Sequence, residues 1–478
     1  MHATQAFNVT IPPSIAPSQL SALANATWEY IYTWPLPILA KSYASVTANG
    51  TKINTYNLRA TALSNVSSGA TAPAGGVTPN HDTLYSQAIL DLSQGPQVFT
   101  IPPFPTGRYW IVPFLDAYTN FFGALGSHFS SPPGNYLVVG RNVSNTTTFP
   151  GFTANQTFHA PTDIVWVIAR VQTFNDSDIP TAYELGQGLK IAPYNGTYTG
   201  AAAPSAFNQT NKAVRISQAF NGTGYAPYVG PIQYVAGLAQ QPSSWFAAAA
   251  AFLAADPPAG GLGPLDSQLP GLAAASNSAI LLQTAAQIAT TCVTVPFIGL
   301  VSETGWQFNP NYSFFGTDYL SRAQSAEVVP GALPATEVVY LTTYTDSNGL
   351  PLDASRGSVY TVSFQRPLPA GAFWSLGIYN TTNLFFIANP INRWVINNQI
   401  PDLSYSGPNN STLVVYISST ANQPPAGPQR ANWLPAPSNA PFFLILRLYL
   451  PSASVLNGSY EPPAVVMSRP GSPGSNTS

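Results

Sequence analysis

The chain has 478 residues, too many for one ordinary core and enough for two or three packed units. Hydrophobic residues make up 45% and aromatics 12%, which excludes wholesale disorder, while charged residues are only 7% against about 25% in an average soluble domain. A net charge of -2 without any Lys/Arg cluster argues against a nucleic-acid partner or an anionic membrane surface.

With so few charges, something else must keep the surface wet. Asn-X-Ser/Thr sequons offer an answer, at Asn8, Asn25, Asn49, Asn65, Asn142, Asn145, Asn155, Asn175, Asn195, Asn208, Asn221, Asn311, Asn380, Asn410, Asn457 and Asn476. They predict a secreted, extracellular glycoprotein; the plainer alternative is an Asn/Thr-rich polar surface. The start, Met1 to Gln5, has neither a basic nor an apolar run, so a secretory leader is expected to have been removed or to precede an incomplete start. The single Cys292 cannot form an intramolecular disulfide and reads as a buried, inert thiol.

In chain order, residues 1–17 read as a flexible leader. Residues 18–45 have helical spacing (Ala24, Trp28, Ile31, Tyr32) that Pro35 and Pro37 break or kink. Short β-branched and aromatic runs then follow: Gln97 to Ile101, Tyr109 to Leu115, Tyr136 to Val139 and Ile164 to Ala169. They predict the strands of a sandwich or jelly roll, and Asp178-Ile-Pro-Thr opens a short helix, Ala182 to Leu189. Ser243 caps an alanine-rich helix, and Leu272 to Thr291 reads as another. The apolar stretch from Ala279 to Leu300 is interrupted by glutamines, threonines and Pro296, so no membrane span is expected. Strands return at Val338, Val359, Phe373, Leu413 and Phe442. In the last of these, Leu444, Leu446, Leu448 and Leu450 share one apolar face and Arg447 lies on the other, which is either solvent-side or a cleft wall. The fold expected is α+β, with two β-rich domains, 18–212 and 326–468, bridged by a helical segment, 213–325, and a disordered tail, 469–478.

Several motifs resemble a known family. Pro79-Asn-His-Asp-Thr-Leu-Tyr-Ser, Leu90-Asp-Leu, Gly107-Arg-Tyr-Trp and Leu115-Asp-Ala-Tyr-Thr-Asn are similar to the N-terminal pattern of proteins that join the domains of unknown function 1254 and 1214. Tyr32-Thr-Trp-Pro-Leu resembles that family's entry motif, with Thr33 and Trp34 departing from it. Gly349-Leu-Pro-Leu-Asp, Ala372-Phe-Trp-Ser-Leu, Asn389-Pro-Ile-Asn-Arg, Ala431-Asn-Trp-Leu-Pro and Leu446-Arg-Leu-Tyr-Leu-Pro resemble its second domain. The resemblance implies two β-rich domains bridged by helices and names no reaction.

Charges inside apolar strands mark the candidate site. Arg108 and Asp116 are too far apart along one strand to pair, roughly 26 Å, so each needs a partner elsewhere. Asp82 and Asp116 are candidate catalytic carboxylates with Tyr85, and the alternative is that each acid bonds its own turn. Asn80, Arg108, Tyr118, Asn120, Trp374 and Arg393 are candidate substrate contacts; Tyr85 and Tyr118 also read as core or rim aromatics, and Arg393 as a surface ion pair. His81, His128 and His159 lack zinc spacing, and neither a metal nor another cofactor is expected. Nucleophile-elbow, phosphate-loop and dinucleotide motifs are absent from the sequence. Two functions compete: a hydrolase or lyase using paired carboxylates on an extracellular small molecule or glycan, and a carbohydrate- or wall-binding sandwich without turnover.

Overall fold

A computed structural model describes residues 11–47, 52–58, 78–196, 242–258, 279–294, 300–381 and 384–469. The sequons at Asn8, Asn49, Asn65, Asn208, Asn221 and Asn476, and the tail from residue 470, lie outside these residues.

The first helical run becomes two helices, α1 (Leu20–Thr33) and α2 (Pro35–Thr47). Trp34 sits between them, and Pro35 opens α2, where a missing N–H breaks no helical bond. Among the described residues nine strands build the first sandwich: β1 (Asn57–Leu58), β2 (Thr83–Asp91), β3 (Gln97–Ile101), β4 (Trp110–Asp116), β5 (Phe121–Gly126), β6 (Gly134–Val139), β7 (Thr157–His159), β8 (Ile164–Gln172) and β9 (Lys190–Pro193). One sheet has the order β1-β2-β8-β4-β5 and the other β7-β6-β3-β9. Alternation sorts each strand: Val165, Val167 and Ala169 of β8 join Phe99, Phe114 and Val138 between the sheets. Ile164, Trp166 and Ile168 face outward, away from that core.

The outward face is covered in two parts. Against Ile89, Leu115, Ile164, Trp166 and Ile168 lie α1, α2 and three later helices, α4 (Pro242–Ala255), α5 (Ala279–Val293) and α6 (Tyr319–Val328). The shorter α3 (Ile179–Gln187) follows β8, with Pro180 in its first turn. Cys292 is buried in this helical layer, where burial pushes its thiol pKa up, as an inert thiol requires.

The second sandwich pairs the order β10-β11-β12-β18-β14-β15 with β17-β16-β13-β19. The ranges are β10 (Leu300–Val301), β11 (Gln307–Phe308), β12 (Val338–Thr343), β13 (Val359–Gln365), β14 (Trp374–Asn380), β15 (Val395–Asn397), β16 (Thr412–Ser418), β17 (Trp433–Pro435), β18 (Phe442–Tyr449) and β19 (Val466–Arg469). Leu444, Leu446 and Leu448 fill its core with Leu341 and Leu376. The other face of β18, Phe443, Ile445 and Tyr449, packs with Tyr340 and Phe373 against Tyr109, Ile111 and Ala124 of the first sandwich. The face carrying Arg447 is therefore a wall between domains.

Candidate functional site

Where helical layer, first sandwich and second sandwich meet, the outward faces leave a cavity of about 80 Å³. Such a volume holds several waters or one small molecule. β2 contributes Tyr85 and Gln87, β8 contributes Trp166 and Arg170, and β12 and β18 contribute Tyr340, Arg447 and Tyr449. Residues Val329 to Ala332, just past α6, and Thr78-Pro79 close it.

Two arginines dominate the chemistry. Arg170 is 5% exposed and Arg447 3%. Arg170 donates from Nη1 to the Tyr340 hydroxyl (3.2 Å) and from Nη2 to the Gly331 carbonyl (2.7 Å), and its Nε–H has no partner among the described residues. Arg447 donates from Nη1 to the Tyr379 hydroxyl (2.6 Å) and from Nη2 to the Thr78 carbonyl (2.7 Å). Among the described residues no carboxylate lies within ion-pair distance of either guanidinium. Burial pushes both pKa values down, the surrounding tyrosine hydroxyls push back, and the net direction is up, so both stay charged. Burial also raises the Tyr449 hydroxyl well above its ordinary value and that of Tyr379 to about 12, so both remain protonated donors. None of the lining residues is Asp, Glu or His.

Gly331 fits its place because of what it lacks. Its φ is +72°, and a Cβ there would come within 2.0 Å of Ile168 Cδ1, so glycine alone lets this carbonyl reach Arg170.

A second space lies on the other side of the strap Thr78–Asp82. His81, Asp82 and Phe174 face Arg393, Trp394 and Asn397 across a cleft of about 350 Å³. The strap is held from the second sandwich: Tyr379 donates to the Pro79 carbonyl (2.8 Å), Asn80 Nδ2 donates to the Tyr449 hydroxyl, and Asn397 Nδ2 donates to Asp82 Oδ1.

The sequence-derived candidates scatter among these places. Tyr85 lines the cationic cavity, its ring 5.5 Å from the Arg170 guanidinium carbon. Asn80 fixes the strap, and its Oδ1 accepts from the Asp82 amide (2.8 Å). Asp82 and Asp116 do not share a pocket. Asp82 precedes Thr83, which pairs with Gln172 of β8, whereas Asp116 pairs with Val165. Seven residues of strand put the two ends roughly 23 Å apart. Asp116 is saturated locally, accepting from the Tyr118 amide (2.9 Å), the Asn120 amide (2.8 Å) and Asn120 Nδ2 (2.9 Å). Its pKa is nevertheless raised, because burial outweighs those bonds. Asp116 and Asn120 are thus turn-formers, and Tyr118 is a core residue whose hydroxyl donates to the Asp256 carbonyl (3.2 Å).

Arg108 is committed elsewhere as well. It grips both oxygens of Asp178 (2.7 and 2.8 Å), donates to the Gln172 carbonyl (2.6 Å) and lies 4.3 Å over the Phe174 ring. Burial raises the Asp178 pKa, Arg108 and the Phe174 amide lower it, and the net direction is down. Trp374 faces the core of the second sandwich beside Phe364. Arg393 borders the cleft, its Nη1 donating to the carbonyls of Arg430, Ala431 and Trp433. The histidines are dispersed: His81 is 3.6 Å from Asp176, His128 bonds Glu337, and His159 lies on β7. Arg170 was not among the sequence-derived candidates, and Arg447 appeared only as a residue on an unassigned face. The available signal was the same for both, one cation in an otherwise apolar or neutral strand, Ile164 to Gln172 and Phe442 to Tyr449.

Fold and cavity define a protein of two β-sandwiches with a cationic, tyrosine-lined space between them. The chain matches the family model described as protein of unknown function (DUF1254) over residues 61–193 and the one described as protein of unknown function (DUF1214) over 337–453, and it belongs to the family that joins the two. It is similar in fold to the crystal structure of the VPA0106 protein from Vibrio parahaemolyticus (TM-score 0.58, 17% identity, 94% of this chain and 100% of that one). A protein from Burkholderia cenocepacia gives a TM-score of 0.42 at 11% identity, covering 94% of each chain, too low a score to bear on the fold. No curated protein matches.

Proposed function

We propose that the protein binds a small organic carboxylate in the cavity between its sandwiches. The observation that carries this reading is the pair Arg170 and Arg447, two buried guanidiniums facing one space without a carboxylate partner among the described residues. An unpaired buried charge costs several kcal/mol, and two of like sign in one cavity repel. A bound anion offsets both costs, and guanidinium matches a carboxylate bidentately. Trp166 and Ile168 supply apolar surface for the carbon body, and Tyr449, kept protonated by burial, supplies a neutral donor.

Binding is favoured over acid/base turnover. Asp82 and Asp116, the carboxylate pair of the expected hydrolase or lyase, lie at opposite ends of β8, and among the described residues no Asp, Glu or His lines the cavity to act as a base. Calorimetric titration with acetate, succinate, benzoate and glucuronate, each against its neutral amide, tests the proposal. The acids should bind and the amides should not, and Arg170→Met should weaken the acids at least tenfold. Equal binding of acid and amide, or an unchanged affinity in the variant, would overturn it.

We also propose that the chain is a secreted glycoprotein. Supporting this, Asn142, Asn145, Asn155, Asn195, Asn311 and Asn457 are all exposed. An amidase that strips N-glycans should raise the gel mobility of protein collected from the medium of its own host; an unshifted band would sink the proposal.

A further inference from the structure

We infer that the cleft on the far side of the strap is a second ligand site, for a neutral, hydroxyl-rich molecule such as a saccharide. Its floor is made of buried polar groups that lack hydrogen-bond partners among the described residues. Asp82, 2% exposed, uses Oδ1 for Asn397 and has no donor for Oδ2. Trp394, 3% exposed, has no acceptor for its indole N–H. The His81 ring lies 5.5 Å from the Trp394 ring, and its Nε2 is 3.6 Å from Asp176 Oδ1. Buried polar atoms left this way destabilise the empty site, so a ligand that satisfies them is bound partly by relieving that cost.

The types of missing partner narrow the ligand. Asp82 needs a donor and Trp394 an acceptor, and both line one cleft. A hydroxyl group is donor and acceptor at once. An ammonium group serves only the first, and a carboxylate, which only accepts, serves only the second. Phe174, Ile391 and Pro401 add apolar surface of the kind that covers the face of a sugar ring, and about 350 Å³ falls within the range of small-molecule sites. The cleft thus differs in ligand class from the cationic cavity and does not depend on it.

The same chemistry has two sources, a free saccharide or a glycan on Asn175 at the rim of the cleft. Titration of the full chain with maltotriose, cellobiose and N,N′-diacetylchitobiose, followed by saturation-transfer NMR and calorimetry, tests the site. At least one sugar should bind, to the wild type or, where the chain's own glycan competes, to Asn175→Gln. Asp82→Asn and Trp394→Phe should each lower that affinity at least tenfold, while Arg170→Met leaves it unchanged. Trp394→Phe keeps an aromatic ring and loses the indole N–H together with the pyrrole half of the ring system, so a loss there is read as loss of the donor when its thermal melt matches the wild type and Asp82→Asn shows a loss too. Absence of sugar binding in both chains, or retention of full affinity in both floor variants, would overturn the proposal. A loss on Arg170→Met would instead assign the sugar to the cationic cavity.

Discussion

The two spaces between the domains share a wall and differ in nearly everything else. On one side of the strap Thr78–Asp82 stand two guanidiniums with no acid beside them among the described residues; on the other an aspartate and an indole have polar atoms without a hydrogen-bond partner among the described residues. The cavity rests on alternation along four strands, with its side chains on the outward faces of rigid sheets. The cleft is built from chain that leaves the sheets, at the start of β2, the end of β8 and around β15. A site on strands inherits the register of the sheet, whereas a site on loops depends on the side chains that pin them. The difference separates residues that hold the fold from residues that meet a ligand.

The two faces of β18 give the sharpest form of that contrast. Leu446 is fully buried between Leu341 and Leu376, so Leu446→Ala should lower stability by about 2–5 kcal/mol in urea denaturation and leave carboxylate affinity unchanged. Its neighbour Arg447 points to the cavity, and Arg447→Met should weaken carboxylate binding about a hundredfold while changing stability less than the leucine variant does. If the two variants exchange these effects in calorimetry and denaturation, the faces are assigned wrongly.

Gly331 tests how tightly the cavity is built. Gly331→Ala meets both a left-handed backbone and the Ile168 side chain, so a loss of about 1–3 kcal/mol is expected, together with weaker carboxylate binding through displacement of the carbonyl that holds Arg170. A thermal melt and a titration check both parts. Smallest is Asp116→Asn, which keeps one acceptor oxygen for the turn: about 1 kcal/mol in stability and no change in either ligand affinity. A large loss of binding in that variant would return Asp116 to the site.

Much of this was legible in the sequence. Leu444, Leu446 and Leu448 placed the core face of β18, whereas Leu450, expected on the same face, lies past the strand at φ +50° and packs against the interdomain cluster; Pro35 marked the division between α1 and α2. Even the isolated cations were visible, since a charge in an apolar strand needs a special neighbour. What the sequence left open were partners distant along the chain and choices of face. Asp178, which holds Arg108, lies in the turn before α3, and no periodicity connects the two. Asp116 could have served a site or a turn; the local backbone, with Thr119 at φ +70°, decided for the turn. Trp374, a candidate substrate contact, alternates with Leu376 and Ile378, and that alternation sends it into the core.

The most direct test of the cationic cavity is a crystal structure of the full chain grown with the tightest-binding carboxylate. The account predicts the carboxylate within hydrogen-bonding distance of both Arg170 and Arg447, with its carbon body toward Trp166 and Ile168. A carboxylate bound elsewhere, with only ordered water against the two guanidiniums, would contradict it.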